Sequence, residues 1–133
     1  MKEYIHGGDI YRHPDVLDFS ANINPLGTPP AVVQAAKDSM EWICHYPDAC
    51  QEKLKQALAA YEQVPVEWLI CGNGAAELIF ALVQAVKPKR ALVMAPTFAE
   101  YAQALEAVGC EVDREILKKE DGFTLQCTIL EKL

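Results

Sequence analysis

Basic charge is what this sequence has in short supply: 12 lysines and arginines stand against 19 aspartates and glutamates, giving a net charge of −7 and a pI near 4.9. Such a balance disfavours phosphate backbones and anionic lipid, so neither nucleic acid nor a membrane surface is an expected partner. Long hydrophobic runs are missing too. The longest, Leu78 to Val83, falls far short of a bilayer span, and Met1-Lys2-Glu3-Tyr4-Ile5-His6-Gly7-Gly8-Asp9 lacks the apolar core of a secretion signal. A cytoplasmic location is the expectation. The five cysteines (Cys44, Cys50, Cys71, Cys110 and Cys127) form an odd set without a C-x-x-C pair, and are expected as reduced, mostly buried thiols. Cys44, His45 and Cys50 fit no common zinc spacing, so no metal site is expected. The chain also lacks G-x-G-x-x-G and a P-loop lysine signature, which disfavours a nucleotide-binding α/β domain. Internal repeats and low-complexity tracts are absent.

What is present is a globular composition, 51% apolar and 23% charged over 133 residues, enough for one domain with its own core. The chain is organised around Trp68-Leu69-Ile70-Cys71-Gly72-Asn73-Gly74-Ala75-Ala76-Glu77-Leu78-Ile79, which reads as a short buried strand, a glycine turn and the opening of a helix. Glycine reaches backbone angles closed to other residues and lets a ligand approach the main chain. The first N–H groups of the helix have no partner within it, and its dipole adds partial positive charge. Together these features read as an anion pocket, with a phosphate group as its expected occupant.

The remaining pattern supports that stretch. The first thirty or so residues read as irregular, with a brief extended segment at Leu17-Asp18-Phe19 and a turn through Ser20-Ala21-Asn22-Ile23-Asn24-Pro25-Leu26-Gly27. Pro25 pushes Asn24 out of helical geometry and leaves its amide free to bond elsewhere. From Pro30 a helix is expected, with Val33, Ala36, Met40 and Ile43 along one stripe, ending at His45-Tyr46-Pro47. Asp48 is expected to cap a second helix, with Gln51 as its reciprocal partner and Leu54, Ala57, Leu58 and Tyr61 as the apolar face.

After the glycine turn the helix is apolar nearly all round, which predicts cover on most sides, and Pro88 stops it. Arg90 to Ala95 reads as a fully buried strand. Phe98, Tyr101, Ala102 and Leu105 mark one face of a further helix that Gly109 ends, and Cys110 to Ile116 alternates as another strand. Asp121-Gly122 marks a turn, and Thr124 to Leu133 reads as the start of a helical segment. Strand, helix, strand, helix, strand implies an α/β fold, with a mainly parallel sheet, helices on both faces and ligands beyond the carboxyl ends of the strands.

Four stretches carry more than a pattern. Asn22-Ile23-Asn24-Pro25-Leu26-Gly27, Tyr46-Pro47-Asp48, Gly72-Asn73-Gly74 followed by Glu77-Leu78-Ile79, and Pro96-Thr97-Phe98 with Tyr101 resemble the N-terminal part of fold-type-I pyridoxal-phosphate enzymes close to histidinol-phosphate aminotransferase. His6-Gly7-Gly8-Asp9-Ile10-Tyr11 and Asp18-Phe19-Ser20-Ala21-Asn22-Ile23-Asn24 look more like the related threonine-phosphate decarboxylases of cobalamin biosynthesis.

The resemblance implies part of the three-layer, mainly parallel large domain of the aspartate-aminotransferase-like fold. Residues 1–45 would lie on its small-domain and arm side, and residues 46–133 would begin the cofactor-binding domain. It implies pyridoxal 5′-phosphate, with the phosphate on the main chain of Asn73, Gly74 and Ala75, the ring stacked on Phe98, and Tyr46 reaching the phosphate of the other subunit of a homodimer. His6, Gly8 and Asn24 would line the side of a small amino-acid phosphate substrate. The implied reaction is decarboxylation of L-threonine O-3-phosphate to 1-amino-2-propanol phosphate. Two alternatives stay open: a histidinol-phosphate aminotransferase-like enzyme, and a phosphate-binding or interaction module without turnover. The family's Schiff-base lysine, ring-nitrogen aspartate and carboxylate-binding arginine match no position here, so no catalytic residue is assigned. The chain is expected to be an N-terminal portion, inactive alone, with unpaired strand edges.

Overall fold

The computed structural model describes residues 7–127 and 129, and the chain divides into two compact units, Met1–Ile70 and Cys71–Leu133. The first unit opens as an irregular loop tied to itself. The Gly8 N–H donates to Ser20 Oγ at 2.8 Å, and the Ser20 N–H donates to Asp18 Oδ1 at 2.7 Å. A Cβ at Gly7 would stand 2.0 Å from the Ser20 carbonyl oxygen, so this crossing requires glycine. Leu17-Asp18-Phe19 joins no sheet among the described residues.

Helix α1 (Pro30–Asp38) begins where its proline fits the first turn, and a 3₁₀ turn over Ser39–Trp42 prolongs it. The expected stripe is present but uncovered among the described residues: Val33, Met40 and Ile43 are all exposed. Helix α2 (Glu52–Glu62) starts at Gln51, which sits in the left-handed region at φ 52° with no side-chain cap. The reciprocal Asp48–Gln51 pair therefore does not form. Asp48 instead accepts the Cys50 and Glu52 N–H groups, each at 2.9 Å, and so steadies the helix start from one turn upstream. The buried residue of α2 is Ala59, while Leu54 and Tyr61 of the expected face are exposed.

Val66–Trp68 forms a 3₁₀ turn and Leu69 is extended, but no strand forms here, and Trp68 and Ile70 are each 75% exposed. This corrects the buried strand expected before the glycine turn. A strand exists only through a ladder to a neighbour, and none lies beside this segment among the described residues.

The second unit holds helix α3 (Ala75–Val86), strand β1 (Arg90–Ala95), helix α4 (Ala99–Ala107) and strand β2 (Glu111–Ile116). The strands pair in parallel, Ala91 opposite Val112 and Val93 opposite Arg114, with α4 as the crossover. Gly109, at φ 75°, turns the chain from α4 into β2 as expected. Val93, Leu105 and Cys110 form the core, with Val83, Ala91, Val108 and Val112 against it. The α/β class and the parallel pairing are as expected, the sheet having two strands among the described residues.

Burial is far less than the sequence suggests. Only Val93 of β1 is buried, and no residue of α3 is; Leu82 and Val86 lie open to solvent. An apolar helix is buried only where something covers it, and here its Val83 side alone joins the core. Three cysteines (Cys44, Cys50 and Cys127) are exposed rather than buried, and Cys110 alone of the five is buried, through its place in the core cluster with Val93 and Leu105. Beyond β2, Lys119–Asp121 makes a 3₁₀ turn closed by Gly122 at φ 60°, the expected turn position; of the helical segment expected from Thr124 to Leu133, Thr124, Leu125 and Gln126 are not helical and half lies outside the described residues.

Candidate functional site

The glycine turn leads directly into α3. Gly74 is the residue before the helix, at φ 86° and ψ 166°, a backbone region essentially reserved for glycine. A Cβ there would meet nothing within 4 Å, so conformation and not crowding requires glycine. No side chain of the preceding residue caps α3. Ala75 opens the first turn, where unpaired N–H groups and the helix dipole favour an anion. These features fit a phosphate group.

Two of the three main-chain donors are engaged within the turn. The Gly74 N–H donates to the Gly72 carbonyl at 2.9 Å. The Asn73 N–H donates to the Glu77 carboxylate, which folds back from the third position of α3. Glu77 is part of the motif that carries the resemblance but is not among the expected site residues. Its signal was there: an acid three residues after a helix-starting residue is the spacing that reaches back to the preceding main chain.

Phe98 stands immediately before α4, three residues past the end of β1. It is 46% exposed and meets Tyr101 edge-on, with ring centroids 6.0 Å apart and planes at 86°. Beside it a groove of about 400 Å³ is lined by Ile79, Leu82, Leu92, Met94, Thr97 and Tyr101. The second unit thus carries both the glycine turn and the expected ring platform, each beside the start of a helix.

The other expected residues lie in the first unit. Tyr46 is fully exposed, just after a contact between the Trp42 and His45 rings at 5.9 Å. Asn24 closes its own turn: its amide nitrogen donates to the Gly27 carbonyl at 3.2 Å and its amide oxygen accepts the Leu26 N–H at 3.0 Å. Its amide is therefore engaged locally and not free. Gly8, at φ 83°, presents its peptide to Ser20 beside a cavity of about 410 Å³ lined by Gly7, Asp9, Ile10, His13, Asp18 and others. The Ser20 hydroxyl, foremost, and its N–H hold the Asp18 carboxyl below the usual carboxylate range. Sequence reasoning did not single out the Asp18–Ser20 pair. His6 lies outside the described residues.

The second unit is a parallel β-α-β scaffold with a glycine turn and a helix start ahead of it, a geometry suited to an anion. Residues 14–133 match the family described as aminotransferase class I and II, and the chain belongs to that family. It is a family of pyridoxal-phosphate-dependent enzymes. Over 96% of its length the chain is 47% identical to a threonine-phosphate decarboxylase of Salmonella typhimurium, of which it covers 37%. A histidinol-phosphate aminotransferase of Symbiobacterium thermophilum is 33% identical over 84% of this chain and 33% of its own length. Among solved structures, L-threonine-O-3-phosphate decarboxylase from Porphyromonas gingivalis superposes with a TM-score of 0.62 at 25% identity, over 71% of this chain and 29% of that one. The chain thus spans about a third of the length of the relatives it matches.

Proposed function

We propose that the protein carrying this chain is a pyridoxal-phosphate-dependent decarboxylase of L-threonine O-3-phosphate, forming 1-amino-2-propanol phosphate in cobalamin biosynthesis. The observation that carries this reading is the 47% identity to the Salmonella typhimurium decarboxylase over 96% of the chain, which includes the glycine turn at α3. The main chain of Asn73, Gly74 and Ala75 holds the cofactor phosphate in this reading, and the glycine-only backbone of Gly74 at the start of α3 supports it. Phe98 lies against the ring, which its half-exposed position before α4 allows. Tyr46, fully exposed, is the residue offered to a second subunit of a homodimer. His6, Gly8 and Asn24 face the amino-acid phosphate substrate. Residues 1–45 belong to the small-domain side and residues 46–133 to the large domain.

The bound cofactor supplies a sink for the electrons released when the substrate carboxylate leaves as carbon dioxide. The residues of this chain contribute binding and orientation. The first turn of α3 would hold the cofactor phosphate through its N–H groups and dipole. The acidic balance of the chain makes that local donor set, and not a general positive field, the source of anion affinity.

The aminotransferase reading draws on the 33% identity to the Symbiobacterium thermophilum enzyme. One assay separates the two. The intact protein with pyridoxal 5′-phosphate is given L-threonine O-3-phosphate, or histidinol phosphate with 2-oxoglutarate. Carbon dioxide and 1-amino-2-propanol phosphate from the first mixture support the decarboxylase; glutamate from the second, with no carbon dioxide from the first, replaces it by the aminotransferase.

A further inference from the structure

The Asn73 N–H belongs to the donor set read above as a phosphate cup, and it is already bonded. Glu77, one turn into α3, folds its carboxylate back and accepts it. The same carboxylate oxygen would lie 2.8 Å from a Cβ at Gly72, and Leu78 Cδ2 would lie equally close. The carboxylate therefore lies across the turn itself, and the bare Gly72 gives it room. An anion of the protein's own stands where an anion of the ligand is expected.

We infer that Glu77 is a built-in occupant of the phosphate cup: its carboxylate holds the Asn73 N–H until a ligand phosphate displaces it, and so sets how tightly the cup takes phosphate. The inference rests on the reading of Asn73, Gly74 and Ala75 as the cofactor-phosphate site. A single N–H cannot serve two anions at full strength, and two negative groups a few ångströms apart repel each other. An entering phosphate must move the carboxylate aside or bind against its charge. A carboxylate serving only as a strut behaves in the opposite way, since its loss loosens the turn and weakens the phosphate site.

The test uses the intact protein as wild type, Glu77→Gln and Glu77→Ala, titrated with pyridoxal 5′-phosphate and with pyridoxal, which lacks the phosphate. Glu77→Gln keeps an acceptor for the Asn73 N–H and removes only the charge. It is expected to lower the Kd for pyridoxal 5′-phosphate roughly tenfold, the scale of one unit charge a few ångströms away in a partly exposed site. Glu77→Ala is expected to lower it at least as far, and the Kd for pyridoxal should not change in either variant. Without ligand, hydrogen exchange at the Asn73 amide should be faster in Glu77→Ala than in wild type. Unchanged or weaker binding of pyridoxal 5′-phosphate in Glu77→Gln overturns the inference, as does weaker binding in Glu77→Ala or tightening that pyridoxal shares. If wild type binds pyridoxal 5′-phosphate no better than pyridoxal, the phosphate-cup reading itself fails and the inference falls with it.

Discussion

Val93 of β1 and Leu105 of α4 pack together in the core of the second unit, and Cys110, just ahead of β2, completes the cluster. This contact joins the crossover helix to the first strand, and Val83 of α3 packs against the same cluster. Leu105 is 8% exposed, so its truncation leaves a cavity. Leu105→Ala is expected to lower stability by about 2–4 kcal/mol, and Leu105→Met by less than about 1.5 kcal/mol, both read from denaturant midpoints. Equal losses in the two variants would show that the contact is not a packed one.

Cys110 is buried, whereas Cys44, Cys50 and Cys127 are exposed. A colorimetric thiol reagent should label the three exposed cysteines rapidly under native conditions. Cys110 should react only as the β1–α4–β2 core opens, so Leu105→Ala should speed its labelling without changing that of Cys44. Labelling is followed by mass spectrometry of the digested protein.

Asp48 steadies the start of α2 through the N–H groups of Glu52 and Cys50. Those bonds, that of Glu52 foremost, hold its carboxyl below the usual carboxylate range. Because the folded value lies below the unfolded one, the stabilisation is complete above the ordinary value of ~3.9 and is lost as pH falls through the lower folded value. The wild-type helix signal in circular dichroism should fall across that acid window. Asp48→Ala should start lower at neutral pH and show a smaller acid step, whereas an identical acid profile would remove Asp48 from this role.

Gly74 has no atom near its would-be Cβ, so Gly74→Ala tests backbone conformation alone. At φ 86° and ψ 166° an alanine is strained by about 1–3 kcal/mol. Two effects are expected together: a lower unfolding midpoint and weaker binding of pyridoxal 5′-phosphate. A variant that kept both at wild-type level would show that the turn relaxes freely.

Arg90 bridges the strands, with Nη2 at 2.8 Å from Asp113 Oδ2 and Nε at 3.8 Å from Glu111 Oε2. The hydrogen bond to Asp113, with the charges of Asp113 and Glu111, raises the Arg90 pKa. These side chains are solvent-exposed, so the pair is expected to add little. Asp113→Asn should leave the unfolding midpoint unchanged, and high salt should not separate it from wild type.

Local chemistry made several elements legible before any fold was seen. Pro30 starts α1, Gly109 turns α4 into β2, and the apolar periodicity around Leu105 places α4 and its flanking strands. Each signal acts within a few residues, through a fixed proline φ, a glycine at positive φ or a repeating side of a helix. The cup at Gly74 was legible for the same reason, since a glycine turn entering a helix carries its own donors and dipole.

What the sequence determined by itself, then, is the order of helices and strands from α3 to β2, the parallel β1–α4–β2 unit and the place of the glycine turn, because propensity and local sterics decide these one turn at a time. Tertiary structure alone decided burial and pairing. The same apolar letters that read as a buried strand at Leu69 and Ile70 stand exposed, and α3 is open along Leu82 and Val86, because burial requires a second surface that no segment encodes by itself. It also decided the partners of single groups. Asn24 turned its amide on Gly27, and Glu77 took the Asn73 N–H; the path of the folded chain set both pairings.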